Sequence, residues 1–139
     1  MKMQFGLVTL LVACSGGENV IEKQDNSAPS IMVASHSASI EVLEGYTESF
    51  RATVSDDDND FGELTVAWYV NEEIVCDWNS VSPAGESFCD IAFTTDSTNV
   101  VAEVRDPAGA GGRAEVSVLV VPTDAPTAAP TNVGDTHSP

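Results

Sequence analysis

The chain has 139 residues, and its 22 Asp and Glu against 5 Lys and Arg give a formal net charge of −17 at pH 7. Nucleic acids and anionic lipid headgroups are bound through clustered Lys and Arg, so this balance argues against both as direct partners. Apolar residues make up 42% of the chain and charged residues 19%, which is enough to build a hydrophobic core. We therefore expect one folded domain of ordinary size.

The N-terminus has the features of an export signal. One Lys precedes an apolar run from Phe5 to Val12, which is far shorter than the roughly 20 residues that span a bilayer. The stretch Leu11-Val12-Ala13-Cys14, with Ser15-Gly16-Gly17 behind it, resembles the lipobox of bacterial lipoproteins. The resemblance implies cleavage before Cys14 and lipidation of Cys14, which would anchor the protein to the outer membrane, on its periplasmic side or at the cell surface. The alternative is an ordinary signal peptide that is cut elsewhere.

Two polar segments flank the middle of the chain. After the signal peptide of residues 1–13, residues 14–28 are polar, contain Gly and lack periodicity, so we expect a flexible tether. Residues 122–139 begin with Pro at every fourth position, each followed by Thr, which favours an extended, disordered tail. A linker-like tail also raises the hypothesis that the chain is the anchoring fragment of a larger secreted protein.

The middle of the chain, residues 29–121, alternates apolar and polar side chains with a period of two, which predicts an all-β domain. The predicted strands are a split first strand at 30–34 and 39–43, followed by 47–55, 64–70, 73–78, 88–93, 100–104 and 114–120. Turn-forming residues separate them at the spacing of an antiparallel sandwich of about seven strands. No helix longer than one turn is expected, and Trp68 on the third strand is expected to lie in the core.

The motifs of this middle part are similar to those of a known class of modules. Thr53-Val54-Ser55-Asp56-Asp57-Asp58, then Leu64-Thr65-Val66-Ala67-Trp68, and further on Val100 to Gly109, resemble PKD-type and related bacterial Ig-like modules of extracellular proteins. The segment Tyr69-Val70-Asn71-Glu72-Glu73 departs from the Gly/Asp-rich turn that usually follows the Trp of PKD modules. The resemblance implies an Ig-like β-sandwich that serves as a spacer, adhesion or ligand-presenting domain without catalysis.

Lipidation of Cys14 would leave an even pair of cysteines, Cys76 and Cys89, in an exported protein, where disulfides persist. The two lie on the fourth and fifth predicted strands, on either side of a predicted turn, so that a disulfide is geometrically plausible. A metal site is the alternative, but it lacks partners because His36 and His137 are far apart in the chain. Both histidines are expected to be exposed to solvent.

The run Asp56-Asp57-Asp58-Asn59-Asp60 concentrates oxygen ligands in one short loop, and Ca²⁺ prefers such ligands. Ig-like topology places the loop after the second strand and the loop after the sixth at the same end of the sandwich. Asp106 is therefore expected to approach Asp56, Asp58 and Asp60, and the N-terminal tether would bring Asp25 and Asn26 into range. Two interpretations stay open: a calcium site at these residues, or an ordinary solvated acidic turn.

Catalytic motifs are missing from the sequence, which has no Gly-x-Ser-x-Gly elbow, no His-Glu-x-x-His and no Gly-x-x-x-x-Gly-Lys loop. We therefore expect neither an enzyme nor a small-molecule substrate. The sequence predicts a membrane-anchored, extracytoplasmic Ig-like module that acts as a structural spacer or as a protein-interaction domain at the cell surface. The alternative function is that of a calcium-stiffened adhesion module.

Overall fold

The computed structural model describes residues 25–123. The predicted signal peptide of residues 1–13, Cys14, most of the predicted tether and the tail from residue 124 onwards lie outside the described residues. Within them, eight strands and one 3₁₀ turn follow one another: β1 (Ser30–Val33), β2 (Ser39–Leu43), β3 (Thr47–Ser55), the 3₁₀ turn (Phe61–Glu63), β4 (Thr65–Val70), β5 (Glu73–Ser80), β6 (Glu86–Ala92), β7 (Asn99–Arg105) and β8 (Gly111–Val121). No helix in residues 25–123 is long and apolar enough to cross a membrane.

The strands form two sheets, so the predicted β-sandwich is confirmed. One sheet has the order β1-β3-β6, and the other has the order β2-β8-β7-β4-β5. All pairings are antiparallel except that of β2 with β8, which is parallel. The predicted split of the first strand is also confirmed, and its two halves belong to different sheets because the chain crosses between them at residues 34–38.

The core lies between the sheets and takes alternate residues from each strand. Trp68 is 1% exposed, and the centroid of its ring lies 6.0 Å from that of Phe50. The Trp68 indole N–H donates to Ser87 Oγ at 3.0 Å, so the one polar group of this side chain has a partner. The predicted core position of Trp68 is confirmed, and burial of a large apolar side chain of this kind stabilises the fold by about 1.5–3 kcal/mol.

His36 was expected to be exposed, and this expectation is wrong. Its side chain is 16% exposed, and its ring stacks on Phe50 with the ring centroids 4.2 Å apart. His36 lies in the short crossing between β1 and β2, which passes over the edge of the core. Because the period-two pattern stops in this crossing, it gives no direction for the His36 side chain.

A disulfide joins the two sheets. Cys76 on β5 and Cys89 on β6 are bonded, with their Cα atoms 6.1 Å apart. β5 and β6 are edge strands of different sheets, so the bridge closes one side of the sandwich rather than linking two arms of a hairpin. The predicted cysteine pair is present in the structure, and it holds the two edges together.

Two glycines allow close packing at the end of the sandwich where β1 begins. Gly85 has a φ of +74°, and a Cβ atom there would lie 2.8 Å from the ring of Phe61, so the turn at 81–85 packs tightly on the 3₁₀ turn. A Cβ atom at Gly112 would lie 2.5 Å from the carbonyl oxygen of Pro29. The missing side chain at Gly112 therefore lets the N-terminal segment lie directly against the start of β8.

Candidate functional site

The N-terminal segment bridges the two loops that the topology was expected to bring together. Asn26 Nδ2 donates to Asp106 Oδ2 at 2.7 Å, and the backbone N–H of Ser27 donates to Asp58 Oδ2 at 2.9 Å. Asp58 follows β3 and Asp106 follows β7, so both loops lie at the end of the sandwich where β1 begins. Asn26 and Ser27 fall within the predicted tether, and the structure shows that the chain contacts the domain from Asn26 onwards.

Asp106 is a buried acceptor that closes the β7–β8 loop. It is 6% exposed, and its Oδ1 accepts the backbone N–H of Ala110 at 2.8 Å. The hydrogen bond from Asn26, together with those from the loop backbone, holds the pKa of Asp106 below its ordinary value, although burial opposes this effect. An ionised Asp106 therefore ties the loop and the N-terminal segment to each other.

The acidic loop contains three oxygen atoms whose hydrogen-bonding capacity is unused. Asp56 Oδ2, Asp58 Oδ1 and Asn59 Oδ1 are buried and have no donor within the described part of the chain. A buried acceptor without a partner costs about 1–3 kcal/mol. Burial, followed by the adjacent Asp58, raises the pKa of Asp56 above its ordinary value. Asp56 and Asp58 each have one carboxylate oxygen that accepts a backbone N–H and one that has no donor, so the surroundings compensate the negative charge of the loop only in part.

The other predicted site residues have different surroundings. Asp60 is exposed and immediately precedes the 3₁₀ turn as its N-cap, and its backbone N–H donates to Glu63 Oε2 at 3.1 Å. Asp57 is also exposed. No three His, Cys, Asp or Glu side chains in residues 25–123 come close enough to hold a metal ion by themselves. The predicted acidic residues all lie at one end of the domain. The buried oxygens that accept no hydrogen bond belong to Asp56, Asp58 and Asn59 and not to Asp60 or Asp106.

Two members of this arrangement were not named as site residues from the sequence: Asn59 was quoted only as part of the acidic run, and Ser27 was missed. Asn59 lies inside the acidic run, and its amide oxygen belongs to the same class of ligand as the carboxylates, so its position in the run was a usable signal. Ser27 takes part through its backbone N–H. Since every residue except Pro carries that group, no side-chain pattern could have indicated Ser27.

No protein-family model matches the chain, and no curated protein matches it. Solved structures do resemble it. The fibronectin(III)-like modules of CbhA from Clostridium thermocellum match with a TM-score of 0.52 at 17% sequence identity, over 68% of this chain and 47% of that chain. A putative membrane anchored protein from Corynebacterium diphtheriae matches with a TM-score of 0.50 at 18% identity, over 68% of this chain and 21% of that chain.

A PKD domain from human KIAA0319 gives a TM-score of 0.48 at 9% identity, over 82% of this chain and 99% of that chain. This chain spans about half the length of the CbhA structure. At identities this low, the matches to the CbhA modules and to the corynebacterial protein show the fold alone. Together with the two-sheet topology, they show that residues 25–123 form an Ig-like β-sandwich module.

Proposed function

We propose that this protein is an exported, membrane-anchored Ig-like module that acts as a spacer or protein-interaction domain and not as an enzyme. The observation that carries the proposal is the Cys76–Cys89 disulfide, because disulfides persist in oxidising compartments outside the cytoplasm. The lipobox-like sequence ending at Cys14 supports a lipid anchor. One of the structures that this fold resembles is also described as a membrane anchored protein.

The path of the chain supports the spacer role. β1 begins beside Gly112 near the start of β8, and β8 then runs for 11 residues to the opposite end of the sandwich. At about 3.4 Å per residue, this strand alone spans roughly 35 Å. The chain therefore enters the domain at one end and leaves it at the other, so that whatever follows residue 123 would be held away from the anchor by the length of the domain.

The anchor is tested by the Cys14→Ala variant, expressed in a Gram-negative host. We expect the wild-type protein to sediment with the membranes and to be released by detergent, because acyl chains on Cys14 hold it there. The Cys14→Ala variant should lose this association, and Ser15→Ala, as the matched control, should keep it. Equal distribution of the wild-type protein and the Cys14→Ala variant between the membrane and soluble fractions would contradict the proposal.

A second candidate function, that of a calcium-stiffened adhesion module, is favoured by the three buried oxygens without donors. Ca²⁺ binds carboxylate, amide and backbone carbonyl oxygens, and Asp56, Asp58 and Asn59 supply the first two kinds. A cation in this loop would favour the ionised form of Asp56, whose pKa is raised by burial and by the adjacent Asp58. Because the backbone of Ser27 contacts Asp58, the bound ion would also stiffen the place where the chain enters the domain.

Calcium binding predicts a gain in stability that one loop carboxylate controls. At a Ca²⁺ concentration 100-fold above the Kd, the free energy of unfolding should rise by about 2.7 kcal/mol. Thermal unfolding in Ca²⁺ and in EDTA measures this gain for the wild-type protein, for Asp58→Ala and for the matched control Asp57→Ala, whose side chain is exposed. We expect only Asp58→Ala to lose the gain. A wild-type Tm that is the same in Ca²⁺ and EDTA would exclude this candidate.

A further inference from the structure

β6 has a free side along which another strand can pair. It pairs with β3 on one side only, in the register from Thr53↔Glu86 to Thr47↔Ala92. On the other side, the Glu86 carbonyl accepts the backbone N–H of Ser82 at 2.8 Å. Because backbone groups alternate between the two sides of a strand, the N–H and C=O groups of Phe88 and Asp90 also face this free side.

A cavity opens next to this free edge. It has a volume of about 480 Å³ and lies between β5 and β6, on the side of the sandwich that the disulfide closes. Val66, Trp68 and Val81 form its apolar base, and Ser87 and Phe88 line it on the β6 side. A volume of this size lies in the range of ligand pockets, about 300–1,000 Å³. A side chain from a strand added to β6 can therefore enter the cavity.

The same side of the molecule exposes apolar and acidic groups together. Phe88 on β6 is 61% exposed, and Val75 on β5 is 45% exposed. Asp77 lines the cavity and Asp90 lies on β6, and neither forms an ion pair within the described residues. Exposed edge strands are usually protected against pairing with like molecules by their charges. In a chain of net charge −17, these carboxylates disfavour a second copy and favour a basic partner.

We propose that the free edge of β6 docks an extended, basic segment of another protein, which pairs with the backbone of Phe88 and Asp90 and places an apolar side chain in the adjacent cavity. In this mode of recognition, the main-chain hydrogen bonds supply affinity, and the pocket and the carboxylates supply specificity. The inference rests on the interaction role proposed above, because it names the chemistry of the partner.

The probe is a synthetic peptide of about seven alternating lysine and valine residues, a typical strand length, titrated calorimetrically into the processed full-length protein. When the added strand runs antiparallel to β6 and its valines point into the cavity, its lysine amides face β6. N-methylation of the lysine amides should therefore weaken binding by about tenfold, since it removes hydrogen bonds to the edge. N-methylation of the valine amides leaves the charge and the side chains unchanged, and it should leave the affinity within about twofold.

Protein variants locate the site. Asp90→Pro removes an N–H that faces the free side, where proline is tolerated in edge strands, and it should weaken binding by about tenfold. Asp90→Asn should weaken binding about threefold by loss of charge. Asp96→Asn, the same change of charge in the exposed loop between β6 and β7, should have no effect. In the wild-type protein, the amide protons of Phe88 and Asp90 should exchange more slowly when the peptide is bound.

Equal binding of the two N-methylated peptides would overturn the inference, because it would show association by charge alone. Absence of binding at millimolar peptide, or unchanged exchange at Phe88 and Asp90, would overturn it as well. If the thermal melt shows that Asp90→Pro fails to fold, the two N-methylated peptides and the Asp90→Asn variant still test the inference. The titration does not depend on the lipid anchor, so that failure of this inference and failure of membrane attachment are separate results.

Discussion

Two aspartates at the same end of the domain have pKa values shifted in opposite directions. The hydrogen bond from Asn26, with further bonds from the loop backbone, lowers the pKa of Asp106. Burial, then Asp58, raises the pKa of Asp56. Asp106 therefore stabilises the fold when it is ionised, and Asp56 stabilises the fold when it is protonated. The carboxylate of Asp106 fastens the N-terminal segment, and that of Asp56 belongs to the loop proposed above as a calcium site.

The shift at Asp106 predicts a loss of stability in acid. Its pKa is lower in the folded state than in the unfolded state, so its contribution is present above the unfolded pKa, near 4, and is lost as the pH falls through the folded pKa. The urea midpoint of the wild-type protein should fall between about pH 5 and pH 3. In Asp106→Asn, the urea midpoint should be lower than that of the wild-type protein at neutral pH, and it should decrease less as the pH falls.

Asp56 acts with the opposite sign and on the other side of the unfolded pKa, because its folded pKa is raised and its cost to stability grows as the pH rises from near 4 to the folded value. The comparison of Asp106→Asn with the wild-type protein keeps Asp56 in both and so isolates Asp106. Asp96→Asn, in an exposed loop, serves as the control for the change in net charge. A fall in the urea midpoint of Asp106→Asn as steep as that of the wild-type protein would contradict the role assigned to Asp106.

At the residue scale, the expected topology predicted some of the contacts at this end of the domain but not all of them. The sequence indicated that the loops of Asp58 and Asp106 share one end, and that Asn26 comes near, because strand order fixes which loops meet. It could not indicate which carboxylate oxygens are buried without a donor. That depends on rotamers and on the backbone path at Ser27, and neither leaves a periodic signal in the sequence.

At the scale of the strands, the two sides of the sandwich are closed in different ways. At one side, the chain itself crosses between the sheets, from β1 to β2. At the other side, β5 and β6 are both edge strands, and the Cys76–Cys89 disulfide joins them. Pairing of backbone groups cannot hold this second side together, because the two strands belong to different sheets. The disulfide does so covalently.

Removal of this disulfide should destabilise the domain without changing its fold. Cys76 and Cys89 are separated by 13 positions, and closure of a loop of about this length stabilises by about 3 kcal/mol in the chain-entropy model. We expect the double variant Cys76→Ala/Cys89→Ala to lose about this much free energy of unfolding in urea and to keep the far-UV circular dichroism of the wild-type protein.

Dithiothreitol serves as the control for the disulfide. It should lower the stability of the wild-type protein towards that of the double variant and leave the double variant unchanged. A double variant as stable as the oxidised wild-type protein would show that the bridge does not support the closed side of the sandwich.

At the element scale, periodicity predicted the number of strands and their order along the chain. It did not predict where the strands begin and end or which strands pair. β5 extends to Ser80, β6 begins at Glu86 and β8 begins at Gly111, although the predicted strands were shorter. The added residues are polar or glycine, so that backbone pairing continues where the apolar alternation has ended. The parallel pairing of β2 with β8 was also absent from the prediction, because alternation gives no strand direction.

For the whole molecule, the net charge and the path of the chain both support the proposed spacer role. An acidic chain of net charge −17 resists association with itself and with anionic surfaces. The domain receives its N-terminal segment at the end that holds the acidic loop, and β8 ends at the opposite end. In the function proposed above, this arrangement would hold whatever follows residue 123 away from the membrane anchor and leave the free edge of β6 at the side of the domain.

The most direct test of an exported, anchored and oxidised module is the intact mass of the protein extracted from bacterial membranes, recorded before and after reduction. We expect a chain that begins at Cys14 and carries acyl groups, with a mass that rises by two hydrogen atoms when the Cys76–Cys89 bridge is reduced. A mass without acyl groups, a different first residue, or no change on reduction would contradict the anchor, the processing site or the oxidised state, respectively.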